Sequence, residues 1–534
     1  MLNPKILPLW RAGIFDFQSQ RSYQNPFLDV QIWAEFTAPS GRKIRREAYW
    51  DGADNYKVSF APTELGVWQA RLEAPDETGL NGAAWTVEAV PYEGDLAIYQ
   101  HGFLRVAENG RFLCYADGTP FFWLGDTHWE FACREKWDES NHPGMDSMFR
   151  GMADRRARQG YTVYQTNLRS DRAMGGNGRY WDESSPSDLP NVAFYQKELD
   201  RRMQYLADLG LVNALGQAWF MSIDNDIQHQ KNLARYLVAR YGALPMVWTL
   251  AGETAGYEGG EARQKRIDGW REVALLIERL DGYGQLQTAH YTNERPFAEY
   301  YQDESWFDFA LNQAGHGDYP ISLRDYTSYC QKHPKPFVEG EALYEYCSTL
   351  EELGTRLCTA DMLRRVAYMS IQAGGCGYTY GAQGIWDVVW EKGQPNPMSL
   401  FNRFDITWAE AIDGPGGEQM GYMRRFYEKA HFWELYPYGA QAEEQSFSPF
   451  AKKQPYVTLN RDATRLVLYY ADSTRKSITL EGLRDEPYRA EWFDPRTGES
   501  RAWDEPVTPQ SGCWTPPAKP GPGDWLLLVT AEEA

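Results

Sequence analysis

The sequence is short of positive charge, of paired cysteines and of long apolar runs, and each shortage excludes something. Over 534 residues it carries 54 basic and 74 acidic side chains, a formal net charge of −20. That sign repels a phosphate backbone, and no basic stripe with interleaved aromatics reverses it locally, so nucleic acid is not an expected partner. No window reaches about eighteen apolar residues, and the opening stretch MLNPKILPLWRAG lacks a basic segment followed by an apolar run. Neither a membrane span nor a leader is signalled; the expectation is a cytoplasmic chain, or a secreted one if a leader has been trimmed from it. The cysteines (Cys114, Cys133, Cys330, Cys347, Cys358, Cys376, Cys513) are odd in number and contain no C-x-x-C pair. Free thiols are therefore expected rather than a disulfide framework or a zinc site. No H-E-x-x-H, no clustered His/Asp pattern, no G-x-G-x-x-G and no P-loop occurs, so neither a catalytic metal nor a cofactor is expected. Oligomeric state is not indicated.

What is abundant is aromatic: 15% of the residues, with 21 Trp and 34 Tyr. Such rings often hold sugars by stacking on their apolar C–H faces, although β-rich cores also use them. A chain of this length exceeds one core, and 43% hydrophobic with 24% charged residues is ordinary for a folded protein. From about Leu28 to Ala89, short alternating segments (DVQIWAEF, REAYW, YKVSF, VWQARLEA) are separated by turn-forming PSG, DGADN and TELG, which reads as an antiparallel β-sandwich. The same texture returns near the end in YVTLN, RLVLYYA, KSITL, YRAEWFD and DWLLLV. Three units are expected: 1–97 and 439–534 as β-sandwiches, and 98–438 between them.

The middle has another rhythm. Strand-like runs PFFWLGD, YTVYQTN, LVNALGQ, MVWTLAGE, LQTAHY, DFALNQ, PFVEGE and GYTYG alternate with helical stretches. One of these, VAFYQKELDRRMQYLADLG, repeats Phe194, Leu199, Met203, Leu206 and Leu209 at steps of three to five; another, RLCTADMLRRVAYMSIQAG, stops on Gly374. Buried strands alternating with helices in this number fit a (β/α)8 TIM barrel of the α/β class better than an open sheet.

In a barrel the C-terminal strand ends open into the site. Here those ends carry Asp126, Thr127 and His128; Gln165 and Asn167; Gln217; Glu253; His290, Tyr291 and Asn293; Asn312 and Gln313; Glu339 and Glu341; Tyr378 and Tyr380. Glu253 and Glu341 form the natural pair of general acid and nucleophile for glycoside hydrolysis. That chemistry needs two carboxyls at roughly 5 Å for retention or about 6.5 to 9.5 Å for inversion.

PFFWLGDTHWE, YLVARYGALPMVWTLAGE, KPFVEGEALYE and GGCGYTYGAQGIWD resemble the blocks of apiosidase-like glycoside hydrolases of the family 140 type. YKVSFAPTELGVWQARL resembles the small β-sandwich that often precedes these barrels, and the last unit resembles the β domain, labelled collagen-binding, that often follows them. The resemblance implies Glu253 as acid/base, in place of the commoner Asp, and Glu341 as nucleophile, with retention by similarity to the wider clan of such barrels. Glu339, two residues earlier, is a decoy, and Glu345 a supporting partner.

Beside this pair, Asp126, His128 and His316 are candidates to hydrogen-bond sugar hydroxyls, and Asn167, Gln217, Asn293 and Gln313 to orient them. Trp219, Tyr291, Tyr380 and Trp386 are candidate stacking platforms. Asp126 has a helix N-cap as its bland reading, and each aromatic has core packing. The leading expectation is an exo-acting glycosidase that removes a terminal sugar, such as apiose or arabinose, from a plant or microbial glycan. The alternatives are an inactive carbohydrate-binding or adhesion protein, and a polysaccharide lyase, for which Arg169 and Arg172 are the relevant cations.

Overall fold

The computed structural model describes residues 5–77, 79–168, 180–182, 189–292, 299–316, 329, 332, 333, 335–351, 354–395, 401–438 and 454–532. At its centre, parallel strands β1 (Trp123–His128), β2 (Val163–Asn167), β3 (Val212–Trp219), β4 (Met246–Gly252), the segment 286–291 (β5), β6 (Ala310–Gln313), β7 (Phe337–Glu341) and β8 (Gly377–Tyr380) form a ring. Seven of them make one sheet in the order β4-β3-β2-β1-β8-β7-β6. The eighth, β5, joins its two edges by single parallel bridges, Gln287 to Trp248 of β4 and His290 to Leu311 of β6. All seven residues of β4 and all six of β1 are buried, as expected for strands covered on one face by helices and on the other by the barrel interior.

The described helices around the ring include α1 (Met148–Gln159), α2 (Asp200–Asp208), α3 (Ile227–Tyr241), α4 (Gly260–Leu280), α5 (Ala360–Gln372) and α6 (Pro415–Lys429). Local chemistry sets their ends. Ser147 accepts from the Arg150 amide at the start of α1, and Asp226 from the His229 amide at the start of α3. Past α5, Gly374 takes φ +104°, the left-handed stop its sequence announces. Before α2 the chain makes a π-turn over Tyr195–Leu199. This explains the five-residue step from Phe194 to Leu199: a widened turn keeps both on the inner face.

Ahead of the barrel, a five-stranded sheet (Lys5–Pro8, Ala84–Val90, Gly66–Glu73, Trp33–Thr37, Lys43–Glu47) faces a three-stranded one (Gly13–Gln18, Asn55–Phe60, Tyr49–Trp50). Phe15, Phe36, Phe60, Trp68 and Trp85 fill the space between. The first strand pairs in parallel with Ala84–Val90, a departure from the all-antiparallel expectation. After the barrel comes a six-stranded antiparallel sheet. KSITL, read as a strand, contributes only a bridge from Leu480 to Trp514, whereas the polar edge strand Glu499–Val507 carries no alternating signal and was not anticipated. One face of this sheet, with Tyr456, Tyr469, Phe493 and Leu526, joins the barrel core. Arg364 of α5 pairs there with Asp524 at 2.8 Å, both side chains buried.

Candidate active site

Glu253 follows the last residue of β4 and Glu341 is the last residue of β7. Glu253 sits at φ +56°, a backbone conformation that a non-glycine residue holds only when its surroundings impose it. Two hydrogen bonds impose it here: Phe220 N donates to Gly252 O, and Thr254 N donates to His290 O. Gly252 is required as glycine, because a Cβ there would lie 2.4 Å from the Trp219 ring.

Glu341 has a buried carboxylate with one imidazole at each oxygen. His316 Nε2 stands 3.0 Å from Oε1, and His290 Nε2 stands 3.1 Å from Oε2. Burial opposes ionisation, yet the two histidines outweigh it and hold Glu341 well below the ordinary carboxylate range. His316 donates through Nδ1 to Ala342 O at 3.0 Å, which fixes its ring. His290 accepts through Nδ1 from the Glu253 amide at 3.4 Å.

Glu253 experiences the opposite forces. Burial pushes its carboxyl up, and the neighbouring charge of Glu341 pushes it further. The Tyr257 hydroxyl and Gln313 Nε2, at 3.3 Å, both donate to Oε1. Gln313 is also the register partner of Glu341 across β6 and β7, so the residue that donates to Glu253 sits beside the backbone of Glu341. An aromatic wall closes the side next to His290: Trp129 meets that ring edge-on at 5.5 Å and Trp219 at 5.7 Å. Tyr344 accepts from Trp129 Nε1 at 3.2 Å and packs on His316 at 4.4 Å.

Other residues singled out in the sequence lie elsewhere. Glu339 is fully buried and accepts from Asn312 Nδ2 and the Ala314 amide, so the decoy is occupied with holding the β6–β7 connection. Asp126 and His128 are fully buried and belong to a charged cluster beneath the rim. Asp126 Oδ2 accepts from Arg156 Nε at 2.5 Å and faces His128 Nε2 at 2.8 Å, and His128 Nδ1 faces Glu135 at 2.6 Å. Both side chains are engaged within this buried cluster, and no helix begins at Asp126. Asn167 donates to Ala218 O, and Gln217 donates to Gln230 of α3. Gln217 is turned outward because it occupies the register irregularity between β3 and β4. Tyr291 packs on Tyr300 and Phe307, and Tyr380 donates to the buried Glu345 at 2.6 Å. Trp386 lies 6.2 Å from Tyr344 with its Nε1 on Gln383, so it stays near the site. Asn293, Arg169 and Arg172 fall outside the described residues. Of the candidates, the structure brings Glu253, Glu341, Gln313, His316 and Trp219 together. Sequence reasoning missed Trp129, Tyr257 and Tyr344, although Trp129 and Tyr344 stand inside the quoted blocks DTHWE and EALYE.

No curated protein matches the chain. A solved structure of a proposed glycoside hydrolase from Bacteroides vulgatus ATCC 8482 is 15% identical, covers 99% of this chain and 100% of its own, and superposes with a TM-score of 0.75. Another glycoside hydrolase structure is 23% identical over 81% of this chain and 98% of its own, TM-score 0.67. A family 5 glycoside hydrolase from the same Bacteroides strain is 21% identical over 81% and 94%, TM-score 0.66. At these identities the likeness establishes the shared barrel fold. Residues 7–74 match a domain family of unknown function, DUF5060, and 447–530 match a proposed collagen-binding domain of a collagenase. Residues 107–434, more than half of the chain, match the catalytic domain described as apiosidase-like, and the protein belongs to that family of glycoside hydrolases.

Proposed function

We propose that this is a retaining, exo-acting glycosidase in which Glu341 is the nucleophile and Glu253 the acid/base, acting on a carbohydrate whose terminal sugar is a furanose such as apiose or arabinose. The observation that carries this reading is the opposed bias on the two carboxyls. His290 and His316 favour charge on Glu341, while burial and Glu341 itself favour a proton on Glu253. Two titratable groups driven apart in one site divide into base and acid.

Two donors occupy Glu253 Oε1, which supports a proton on Oε2 in the acid form. Glu253 gives it to the glycosidic oxygen as the C1–O bond breaks and Glu341 forms an ester to C1. Ester formation removes the Glu341 charge and with it the repulsion that raised Glu253, so Glu253 stays ionised after giving up its proton and is in the form that takes one from the attacking water. Water then attacks C1, the sugar leaves and Glu341 is restored as a carboxylate. The deep seat of Glu341, whose side chain is 6% exposed, favours reaction at a chain end over an internal bond. The choice of furanose rests on the family description alone.

The test is hydrolysis of aryl pyranosides and furanosides of both anomers by the intact protein, Glu253→Gln and Glu341→Gln. Release of one sugar that each substitution reduces by several orders of magnitude is expected, and proton NMR should show the first-formed sugar with its anomeric configuration kept. Activity untouched by either change would overturn the site, and an inverted first product would overturn the nucleophile role of Glu341.

A further inference from the structure

A side-chain amide has a donor end and an acceptor end, and burying either one unpaired is costly. Two buried glutamines at the strand ends answer this differently. Gln165 of β2 uses both ends: Nε2 donates to Gly340 O at 2.9 Å, and Oε1 accepts from Thr379 Oγ1 at 3.0 Å. Gln313 of β6 uses one. Its Nε2 donates to Glu253 Oε1 at 3.3 Å, whereas its Oε1 is buried with no hydrogen-bond partner among the described residues. Glu253 Oε1 accepts, so the nitrogen is the end of the amide that faces it and the carbonyl is the end left over. That unpaired acceptor belongs to an amide fixed on Glu253, on a residue whose backbone pairs with Glu341.

The second half of a retaining reaction makes a demand that suits this acceptor. Water brings two protons to the attack, and Glu253 takes one of them. The other stays on the oxygen, which becomes positive as it bonds to C1, so an acceptor for that proton stabilises the transition state. Glu253 cannot supply it, because two donors already occupy Oε1 and Oε2 takes the first proton. We infer that Gln313 Oε1 accepts the second hydrogen of the attacking water. The water oxygen bonds to C1, and the C1–O bond to Glu341 breaks with its electron pair returning to the carboxylate. One proton passes to Glu253, and the other remains on the new anomeric hydroxyl, held by Gln313. An alcohol brings a single proton, which Glu253 takes, and gains nothing from Gln313. The carbonyl therefore favours hydrolysis over transfer of the sugar to an alcohol.

The inference rests on the retaining reading with Glu253 as base, and its test separates the two. The aryl glycoside accepted in the panel is turned over in water containing methanol, and proton NMR gives the ratio of free sugar to methyl glycoside. That ratio is set after the intermediate has formed and does not depend on how much of a variant is folded. Gln313→Met, which keeps the volume and removes the carbonyl, should lower it by roughly five- to tenfold, the worth of one hydrogen bond. Tyr257→Phe removes the other donor to Glu253 and should leave the ratio unchanged, since water and methanol need the same base. An equal shift in both variants would trace the effect to Glu253 and overturn the role of Gln313. So would an unchanged ratio with a fall in kcat/KM, the signature of a carbonyl that holds a sugar hydroxyl. Absence of a methyl glycoside of retained configuration from the intact protein would overturn the retaining reading itself, and this inference with it.

Discussion

His290 stands between Glu253 and Glu341, with Nδ1 3.4 Å from the amide of the first and Nε2 3.1 Å from the carboxylate of the second. The ring couples a strained backbone position to a buried charge. Replacing it removes one of the two groups that hold Glu341 ionised against burial, so the folded carboxyl should move upward. His290→Asn should therefore shift the acidic limb of the kcat/KM profile to higher pH and lower the plateau by about a hundredfold. An acidic limb left where it was would mean that His316 alone maintains the charge.

Glu253 should reveal itself through the leaving group. An acid matters most when the departing oxygen is basic, so Glu253→Gln should cost about 10² to 10⁴ on alkyl glycosides and far less on a glycosyl fluoride. Because the Glu253 carboxyl is raised by burial and by Glu341, it sets the basic limb of the intact enzyme. That limb should disappear in Glu253→Gln. Equal losses on both donors would make Glu253 a binding group instead.

Much of this was legible in the sequence, and the exceptions share a cause. Apolar runs such as MVWTLAG announce strands buried on both faces, and their polar final residues give Glu253 and Glu341. The same rule also selects Asp126, Asn167, Gln217 and Tyr380, whose side chains turn away because each meets a partner remote in sequence. Asp126 meets Arg156, and Tyr380 meets Glu345, which is held in turn by the Gly416 amide at 3.0 Å. Strand ends are local information, but the direction of a side chain at a strand end depends on tertiary partners. Tyr257 was missed for the reverse reason: it lies beyond the strand, in a turn whose path no periodicity describes.

The charged cluster beneath the rim predicts a pH dependence of stability. Burial opposes a proton on His128, but Glu135 and Asp126 outweigh it and raise the imidazole from 6.5 to about 9. A group whose folded pKa is raised contributes stability that is complete below about pH 6.5 and is lost as pH rises through about 9. The contribution is on the order of 3 kcal/mol. Urea unfolding of the intact chain should show this loss between neutral and alkaline pH. His128→Gln should be less stable at pH 6 and should lack most of the alkaline decline; a decline of the same size in the variant would place its origin elsewhere.

Arg46 tests what the first β unit does for the barrel. It is fully buried, donates through Nε to Ser59 O at 3.2 Å within its own unit, and through Nη2 to Val238 O at 2.7 Å and Ala239 O at 3.3 Å. Both carbonyls lie in the last turn of α3; Val238 O also accepts from the Gly242 amide at 2.9 Å, so Arg46 adds a second donor there and supplies one to Ala239 O, bracing this helix end from another unit. Arg46→Met keeps most of the volume but takes the side-chain donor from Ala239 O, while Val238 O keeps the Gly242 amide, at a cost of about 1 to 3 kcal/mol. The catalytic rate of molecules that remain folded should not change. Residues 242–245 lead from the end of α3 into the start of β4, so Arg46 acts at the opposite end of the barrel from Glu253. Unfolding midpoints and active-site titration, measured together, separate the two effects: lower stability with an unchanged rate per active site makes the first β unit a brace. A rate that falls with stability intact would instead require a path from the base of the barrel to the carboxyl pair.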